Sequence, residues 1–244
     1  MSTKTKLFSA AAIFGALSST AAIGAVNDWD DPDTTTSYSG WISSFSVEGF
    51  YGAAQEKLFK DFDIDKLDIG GLSIRYTGRM STTSPVFPEL FGITSVGGGT
   101  LDQTWYGYGY HPYFGEGSYR EELNYDLFSA QFAIGANIRF QPTEKFSIFA
   151  GVRVGLDIEY VEYEYKYNSY RDQKNNTDVG FLYGIGIGAD FNITKHHGIT
   201  FAVDYVCSTA QPEFEKIYIS GSHYTVKTEE QSYIMVSVGY KYTF

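Results

Sequence analysis

The sequence contains little cysteine and little positive charge. Cys207 is its single cysteine among 244 residues, which excludes an intramolecular disulfide framework and any metal site built from several cysteines. Lysine and arginine number 18 against 29 aspartates and glutamates, giving a formal net charge of -11. Nucleic-acid binding needs a basic surface for the phosphates, so this charge balance predicts no nucleic-acid partner.

The sequence also lacks a helical membrane span. No apolar run in it approaches the roughly 20 residues that a spanning helix needs. Aromatic residues, in contrast, are abundant, with 21 tyrosines, 19 phenylalanines and 3 tryptophans beside 26 glycines. Aromatic residues favour strands and glycine weakens helices. The composition therefore predicts a chain built mainly from strands.

The N-terminal segment has the order of a secretory signal peptide. Two lysines precede an apolar run, Leu7–Leu17, and small residues continue to Ala25. We expect residues 1–25 to be removed, with cleavage after Ala22, Gly24 or, preferably, Ala25.

The short segment after the signal peptide is acidic. Residues 26–40 contain the run DWDDPD, which starts at Asp28. We expect these residues to form a solvated periplasmic lead-in to a folded domain that spans residues 41–244.

Apolar side chains alternate with small or polar ones along most of that domain. From Phe146 to Tyr160 the even positions are all apolar or aromatic, and the odd positions are mostly glycine, serine or charged. The same alternation runs over Phe128–Phe140 and Val179–Ile193. Alternation predicts strands, and these stretches are far longer than the usual strand of about 5–6 residues.

Eight such segments follow one another. They lie near Trp41–Ala54, Ile64–Arg79, Val86–Gly98, Glu122–Phe140, Lys145–Tyr167, Thr177–Ile193, Gly198–Gln211 and Glu229–Phe244. Short and long connections alternate, as in outer-membrane barrels, and an even strand count places both termini in the periplasm. We therefore predict an all-β, eight-stranded antiparallel up-and-down transmembrane β-barrel, with its apolar face toward lipid and its small or polar face toward a narrow lumen.

The longest predicted connection, Gly99–Glu121, carries the run WYGYGYHPYFGEGSY. Such a tyrosine- and glycine-rich loop is suited to recognition, and its aromatic residues are equally suited to the interfacial girdle of a barrel. If Gly99–Tyr110 adds a hairpin, the barrel has ten strands instead of eight.

The C-terminus carries the most specific motif. Ser237, Gly239, Tyr242 and Phe244 match the pattern polar-x-Gly-x-x-aromatic-x-aromatic. Here the sequence resembles the bacterial outer-membrane β-barrel superfamily, and in shape its OmpA-like and opacity-type eight-stranded members. The resemblance implies a terminal strand that the barrel-assembly machinery recognises, and a barrel embedded in outer-membrane lipids. We expect the barrel alone, without a peptidoglycan-binding domain.

Ionisable residues recur on the face predicted to line the lumen. They are Glu48, Arg75, Arg79, Arg139, Arg153, Asp157, Glu159, Asp190, Asp204 and Lys241. Buried charges must be paired, so we favour an internal ion-pair network that closes the lumen. The alternative is a narrow pore or small-solute channel lined by the same groups.

No catalytic, metal or cofactor site is predicted. The four histidines, His111, His196, His197 and His223, show no spacing that joins a nucleophile, a base and an orienting group. The run GIGIGA from Gly184 fails as a dinucleotide fingerprint because no helix follows it. We expect a non-enzymatic barrel with a structural or surface-interaction role, and a lipid-modifying barrel enzyme is the less favoured alternative. The sequence identifies no extracellular ligand.

The fifth segment is longer than a membrane crossing requires. Its outward stripe is apolar to Ile158, reaches Tyr160 and then turns to glutamate at Glu162. A carboxylate in hydrocarbon is costly, so we expect Tyr160 at the outer interface and Glu162 in water. The sheet should continue outside the membrane as a rigid acidic rim, with tyrosines such as Tyr163 and Tyr165 on its opposite face. This rim, with the loops at Gly99–Glu121 and Pro212–Thr228, is the predicted contact surface.

Overall fold

The computed structural model describes residues 40–54, 67–80, 82–111, 115–167, 170–219, 222–227 and 230–244. The predicted signal peptide and all of the lead-in except its last residue lie outside these ranges. Among the described residues, no helix is long and apolar enough to cross a membrane. These ranges form ten strands: β1 (Trp41–Ala54), β2 (Asp68–Met80), β3 (Val86–His111), β4 (Gly115–Thr143), β5 (Phe146–Tyr167), β6 (Tyr170–Asn192), β7 (His197–Ser208), β8 (Glu213–Ile219), β9 (Ser222–Lys227) and β10 (Gln231–Thr243).

Eight of these strands close into an antiparallel barrel in the order β1-β10-β7-β6-β5-β4-β3-β2. Each strand pairs with its neighbour in sequence, except that β7 pairs with β10 across the separate β8–β9 hairpin. The ring closes where β1 pairs with β10, for example at Val47 and Tyr240. The predicted all-β, eight-stranded antiparallel barrel is confirmed.

Three connections predicted to be loops, Gly99–Glu121, Asn168–Asn176 and Pro212–Thr228, contain strands instead, and the third holds the β8–β9 hairpin. β3 and β4 pair without interruption from Val86 and Phe140 to His111 and Gly115, and β5 and β6 pair up to Tyr167 and Tyr170. Their glycines, asparagines and charges resemble loop residues in sequence, but a neighbouring strand supplies the hydrogen bonds that keep them extended. The ten-stranded alternative is wrong, because residues 99–110 lengthen β3 and the additional hairpin lies outside the ring.

The two ends of the barrel differ in height. At the terminal end, which holds Trp41 and Phe244, the connections 81–85, 144–145 and 193–196 are short. At the other end, the extended end, β3–β6 continue well beyond β1, β2, β7 and β10. We call this projection the extended sheet and define it as residues 99–111, 115–127, 161–167 and 170–176, which pair as one sheet.

Side chains alternate between the lumen and the outer surface along the barrel strands. The outward ones form an exposed apolar belt that includes Leu72, Ile74, Ile134, Ile138, Val152, Val154, Leu156, Ile185, Ile187 and Val238. The inward ones are largely polar and buried, including Ser73, Gln131, Asn137 and Ser147. An apolar outer surface around a polar interior is the arrangement of a transmembrane β-barrel.

The extended end of the lumen is filled by a buried apolar cluster. Its members include Phe50, Leu67, Leu101, Leu123, Tyr125, Val161, Tyr163, Tyr165, Leu182, Val206 and Tyr233. The ring of Phe50 has room in the lumen because the residues beside it on β2 and β3 are glycines. A Cβ atom added to Gly71 or Gly97 would lie 2.7 or 2.6 Å from Cζ of Phe50, too close for any side chain.

Candidate functional site: the lumen and the extended sheet

Arg139 is the centre of a buried charge cluster near the terminal end of the lumen. Its guanidinium donates to both carboxylate oxygens of Glu89, at 2.9 and 3.0 Å, and to Oδ2 of Asp190 at 2.5 Å. Ser147 Oγ accepts a further hydrogen bond at 2.7 Å. Lys241 Nζ donates to the same Asp190 oxygen at 2.5 Å. Two cations and two carboxylates therefore balance one another; Arg139, Glu89 and Asp190 are buried, and Lys241 is partly exposed.

Glu89 is absent from the predicted lumen residues, although it is a central partner in this cluster. The sequence around it has apolar residues at both even and odd positions, so its face could not be assigned. In the structure Phe87, Glu89, Phe91 and Ile93 all face the lumen. The odd-numbered series of β3 is a weak sequence signal for this face, and the pairing of Glu89 with the lumen-facing Asn137 in the structure fixes it.

Glu48 lies in a second buried cluster, further from the terminal end. It accepts hydrogen bonds from Ser46 Oγ at 2.6 Å and from Ser237 Oγ at 2.9 Å. Arg75 Nε lies 3.3 Å from its Oε1 atom. These contacts join β1, β2 and β10 across the closing seam of the barrel.

Asp204 connects that cluster to Arg153. One of its carboxylate oxygens lies 3.8 Å from Arg75 and 4.0 Å from Arg153. The guanidinium of Arg75 also lies over the rings of Phe91 and Phe149, 5.4 and 5.6 Å from their centroids. Packing against aromatic faces compensates partly for the long ion-pair distances.

Three of the predicted lumen residues face inward without an opposite charge beside them. Arg79 lies over the Phe87 ring, 4.2 Å from its centroid, and beside a cavity of about 470 Å³ at the terminal end. Asp157 and Glu159 are buried toward the extended end. Across the described part of the chain, none of the three has an oppositely charged side chain within ion-pair distance.

The extended sheet presents two exposed tyrosines on its outer face. Tyr106 and Tyr108, alternate residues of β3, are 75% and 74% exposed. The guanidinium of Arg120 lies 5.9 Å from the Tyr106 ring centroid and pairs with Glu122. Alternation places all four side chains on one side of the sheet, so the tip of the projection is both aromatic and charged.

A ladder of polar contacts continues across the same face. Lys166 Nζ lies 3.6 Å from Glu122 and 3.4 Å from Glu164, which connects β4 to β5. Gln173 Nε2 donates to Glu162 Oε1 at 2.7 Å, which connects β5 to β6. These contacts fix the relative positions of the charged groups on the outer face.

The predicted rim tyrosines of β5 are not part of an exposed surface. Tyr163 and Tyr165 are 3% and 2% exposed and belong to the apolar cluster that fills the extended end. The odd positions of β5 keep facing inward above the barrel, because the strand alternation continues without a break into the extended sheet. Of the described side chains, the tyrosines exposed on the outer face therefore come from β3, while β5 contributes glutamates to it.

The C-terminal strand makes specific contacts at the terminal end. The Phe45 ring lies 6.0 Å from the rings of both Tyr242 and Phe244. His196 Nδ1 lies 2.9 Å from the carbonyl oxygen of Thr243. Gly239 is required by space, since an added Cβ would lie 2.2 Å from the carbonyl oxygen of Val47. The aromatic ending of β10 thus packs against β1 and against the connection that precedes β7.

The histidines of the described chain show no catalytic geometry. His197 Nδ1 lies 2.5 Å from the Tyr240 hydroxyl, and both it and His196 contact β10. The side chains of His111 and His223 lie outside the described part. Within the described ranges, no three His, Cys, Asp or Glu side chains are close enough to hold a metal ion together.

No protein-family model and no curated protein matches the chain. Several solved structures are similar to it in shape at low identity. Ail, the attachment invasion locus protein of Yersinia pestis, in complex with the heparin analogue sucrose octasulfate, is 13% identical over 84% of this chain and 99% of that one, with a TM-score of 0.42. Neisserial surface protein A is 10% identical over 83% and 97%, with a TM-score of 0.40. The outer membrane protease OmpT from Escherichia coli is 12% identical over 88% and 100%, with a TM-score of 0.46.

Proposed function

We propose that the protein is a non-enzymatic bacterial outer-membrane barrel with a closed lumen, which presents its extended sheet as a contact surface outside the cell. The filling of the lumen carries this proposal. Two buried charge clusters are followed along the barrel by a buried apolar cluster. A continuous aqueous path would have to cross all three.

The terminal end faces the periplasm in this proposal. The exposed apolar belt contacts outer-membrane lipids, and the aromatic end of β10 is the signal for the barrel-assembly machinery. Ser237, Gly239, Tyr242 and Phe244 form that signal. An unpaired amphipathic strand must be captured before it closes the sheet, since no open edge is stable in lipid.

The competing function is a narrow pore. A pore needs inward polar groups that ions and water can reach. Here Arg139 donates hydrogen bonds to Glu89 and Asp190, and all three side chains are buried. Tyr125 and Tyr163 are buried at the extended end. This packing supports a structural role for the lumen charges, which hold the strands in register.

The contact surface is the outer face of the extended sheet. Its described charges are five carboxylates against three cations, namely Asp102, Glu122, Asp126, Glu162 and Glu164 against Arg120, Lys166 and Arg171. An acidic face repels polyanions such as sulfated polysaccharides. The partner that fits it is neutral or cationic, with rings or planar groups that pack on Tyr106 and Tyr108.

Planar-bilayer recording tests the closed lumen. The mature chain, refolded in detergent and inserted into the bilayer, should give no steady ion conductance. Heat-modifiable migration of the same preparation on detergent gels confirms that the barrel is folded. Steady single-channel conductance from the folded species would contradict the proposal and favour the pore.

A further inference from the structure

The lumen contains a polar cavity of about 470 Å³ at its terminal end. A volume of about 300–1,000 Å³ is usual for a small-molecule site. Side chains from strands all round the ring line the cavity, among them Thr77 of β2, Gln141 of β4 and Lys241 of β10. Its buried lining includes Arg139 and Glu89 of the Arg139 charge cluster. The cavity therefore lies on the terminal side of the packing that fills the rest of the lumen.

Arg79 lines this cavity without a carboxylate partner among the described residues. The other three inward arginines of the described barrel, Arg75, Arg139 and Arg153, each have a carboxylate oxygen within 4.0 Å. The guanidinium of Arg79 instead lies over the Phe87 ring, 4.2 Å from its centroid. The ring occupies one side of the guanidinium and leaves the N–H donors at its edge available to an acceptor.

The charges around the cavity leave one positive charge without a counterion. In the Arg139 cluster, two cations are matched by two carboxylates. Lys195 and Glu144, in two turns at the terminal end, are both exposed and offset each other in number. With histidine counted as neutral, Arg79 carries the excess charge. A ligand with a single negative charge would make the lining neutral.

We propose that this cavity binds a small hydroxylated carboxylate as a free solute, and that Arg79 holds the carboxylate. A planar guanidinium matches a carboxylate through two parallel N–H···O bonds, which a lysine ammonium cannot reproduce. The side-chain amide of Gln141 also lines the cavity and has no hydrogen-bond partner within the described ranges. An amide can both donate to and accept from a hydroxyl group of the ligand.

The site lies at the opposite end of the barrel from the extended sheet. It is therefore independent of the contact surface proposed above, and in the orientation proposed there it opens toward the periplasm. Binding can be measured in detergent micelles, where the orientation in a membrane has no influence on the result.

Arginine side-chain NMR tests the site, with lactate as the probe and lactamide as its uncharged analogue. In the mature chain, folded in micelles with isotope-labelled arginine side chains, lactate should shift the Nε–H signal of Arg79 saturably. Lactamide should leave that signal in place, because it keeps the shape and the hydroxyl group but lacks the charge. The spectrum of Arg79→Gln assigns the signal by its loss. Equal shifts from the two compounds, or no saturable shift from lactate, would overturn the proposal.

Unfolding midpoints separate ligand binding from a purely structural role of Arg79. A ligand that binds only the folded chain stabilises it, so lactate should raise the wild-type midpoint and leave that of Arg79→Gln unchanged. Arg79→Lys keeps the charge without the planar fork, so it should bind lactate several-fold more weakly. Arg171→Gln, at an exposed arginine of the extended sheet, should respond to lactate like the wild type. If Arg79→Gln is destabilised while lactate has no effect on the wild type, Arg79 is only structural and the proposal is wrong.

A variant of the acidic lead-in identifies the source of the carboxylate. The lead-in joins β1 close to Ile42, which lines the cavity, and its aspartates are Asp28, Asp30, Asp31 and Asp33. Lactate should bind equally well to the wild-type mature chain and to a chain in which these four aspartates are changed to asparagine. If only the changed chain binds lactate, a lead-in carboxylate occupies the site and the free-solute proposal is wrong.

Discussion

Arg139 shows what one residue contributes inside the lumen. Its guanidinium contacts side chains from β3, β5 and β6, and an oxygen that it contacts also accepts a hydrogen bond from β10. The bidentate geometry with Glu89 is specific to a planar guanidinium. One side chain therefore connects strands that lie far apart in sequence.

Arg139→Gln should destabilise the barrel strongly. The change leaves Glu89 as a buried carboxylate without its cation and weakens the neutralisation of Asp190. Breaking a buried ion pair by removing one partner costs about 3–5 kcal/mol of stability. Urea unfolding in detergent micelles, followed by heat-modifiable migration, measures this loss. Arg171→Gln is the matched control, since Arg171 is exposed on the outer face, and its stability should stay within about 0.5 kcal/mol of wild type. Equal stability of the two variants would contradict the paired-network interpretation.

At the scale of strands, close approach across the barrel wall selects glycine at inward positions. Gly155 of β5 pairs with Ala133 of β4. A Cβ added to Gly155 would lie 2.0 Å from the Phe132 carbonyl oxygen and 2.6 Å from Cα of Ala133, both backbone atoms. Backbone cannot move aside without disturbing the pairing of β4 with β5.

Gly155→Val should therefore impair assembly of the barrel. Overpacking of this kind costs about 1–3 kcal/mol or more, because the ladder must distort. Gly49→Val is the control, since a Cβ at the outward-facing Gly49 would meet nothing within 4 Å. The measurement is the fraction of heat-modifiable, folded protein after refolding into micelles. Equal yields from both variants would show that the wall tolerates side chains at Gly155.

At the scale of the whole molecule, the point at which the outward face of β5 changes from apolar to charged limits where the membrane can lie. The outward face of β5 is apolar up to Ile158 and carries Glu162 and Glu164 above it. β5 and β6 remain paired through this change, so the sheet crosses from the apolar belt into a polar projection without a break.

Cysteine labelling at Ile158 and Glu162 tests this placement in intact cells. In a Cys207→Ser background, a charged thiol reagent should label Glu162→Cys and leave Ile158→Cys unlabelled, because the reagent cannot enter the hydrocarbon. Denatured samples control for thiol reactivity. Labelling of the Ile158 variant without labelling of the Glu162 variant would place the membrane elsewhere on the barrel.

The sequence by itself determined the class of the fold and the face of most residues. Alternation is a local property, so it was enough to place Arg139, Arg153, Asp157 and Asp190 on the inward face. The uniformly apolar outward stripe, such as that of Phe146–Ile158, determined that this face would be exposed to an apolar environment.

Only the tertiary structure decided how far the strands extend and which charges meet. The pairing of residues 99–111 with 115–127 depends on partners in the neighbouring strand, so their loop-like composition predicted the wrong conformation. Glu89 reaches Arg139, and Arg75 lies between Glu48 and Asp204, because the stagger between strands sets the height of each side chain in the lumen. That stagger is a property of the closed ring and has no signature in any single strand.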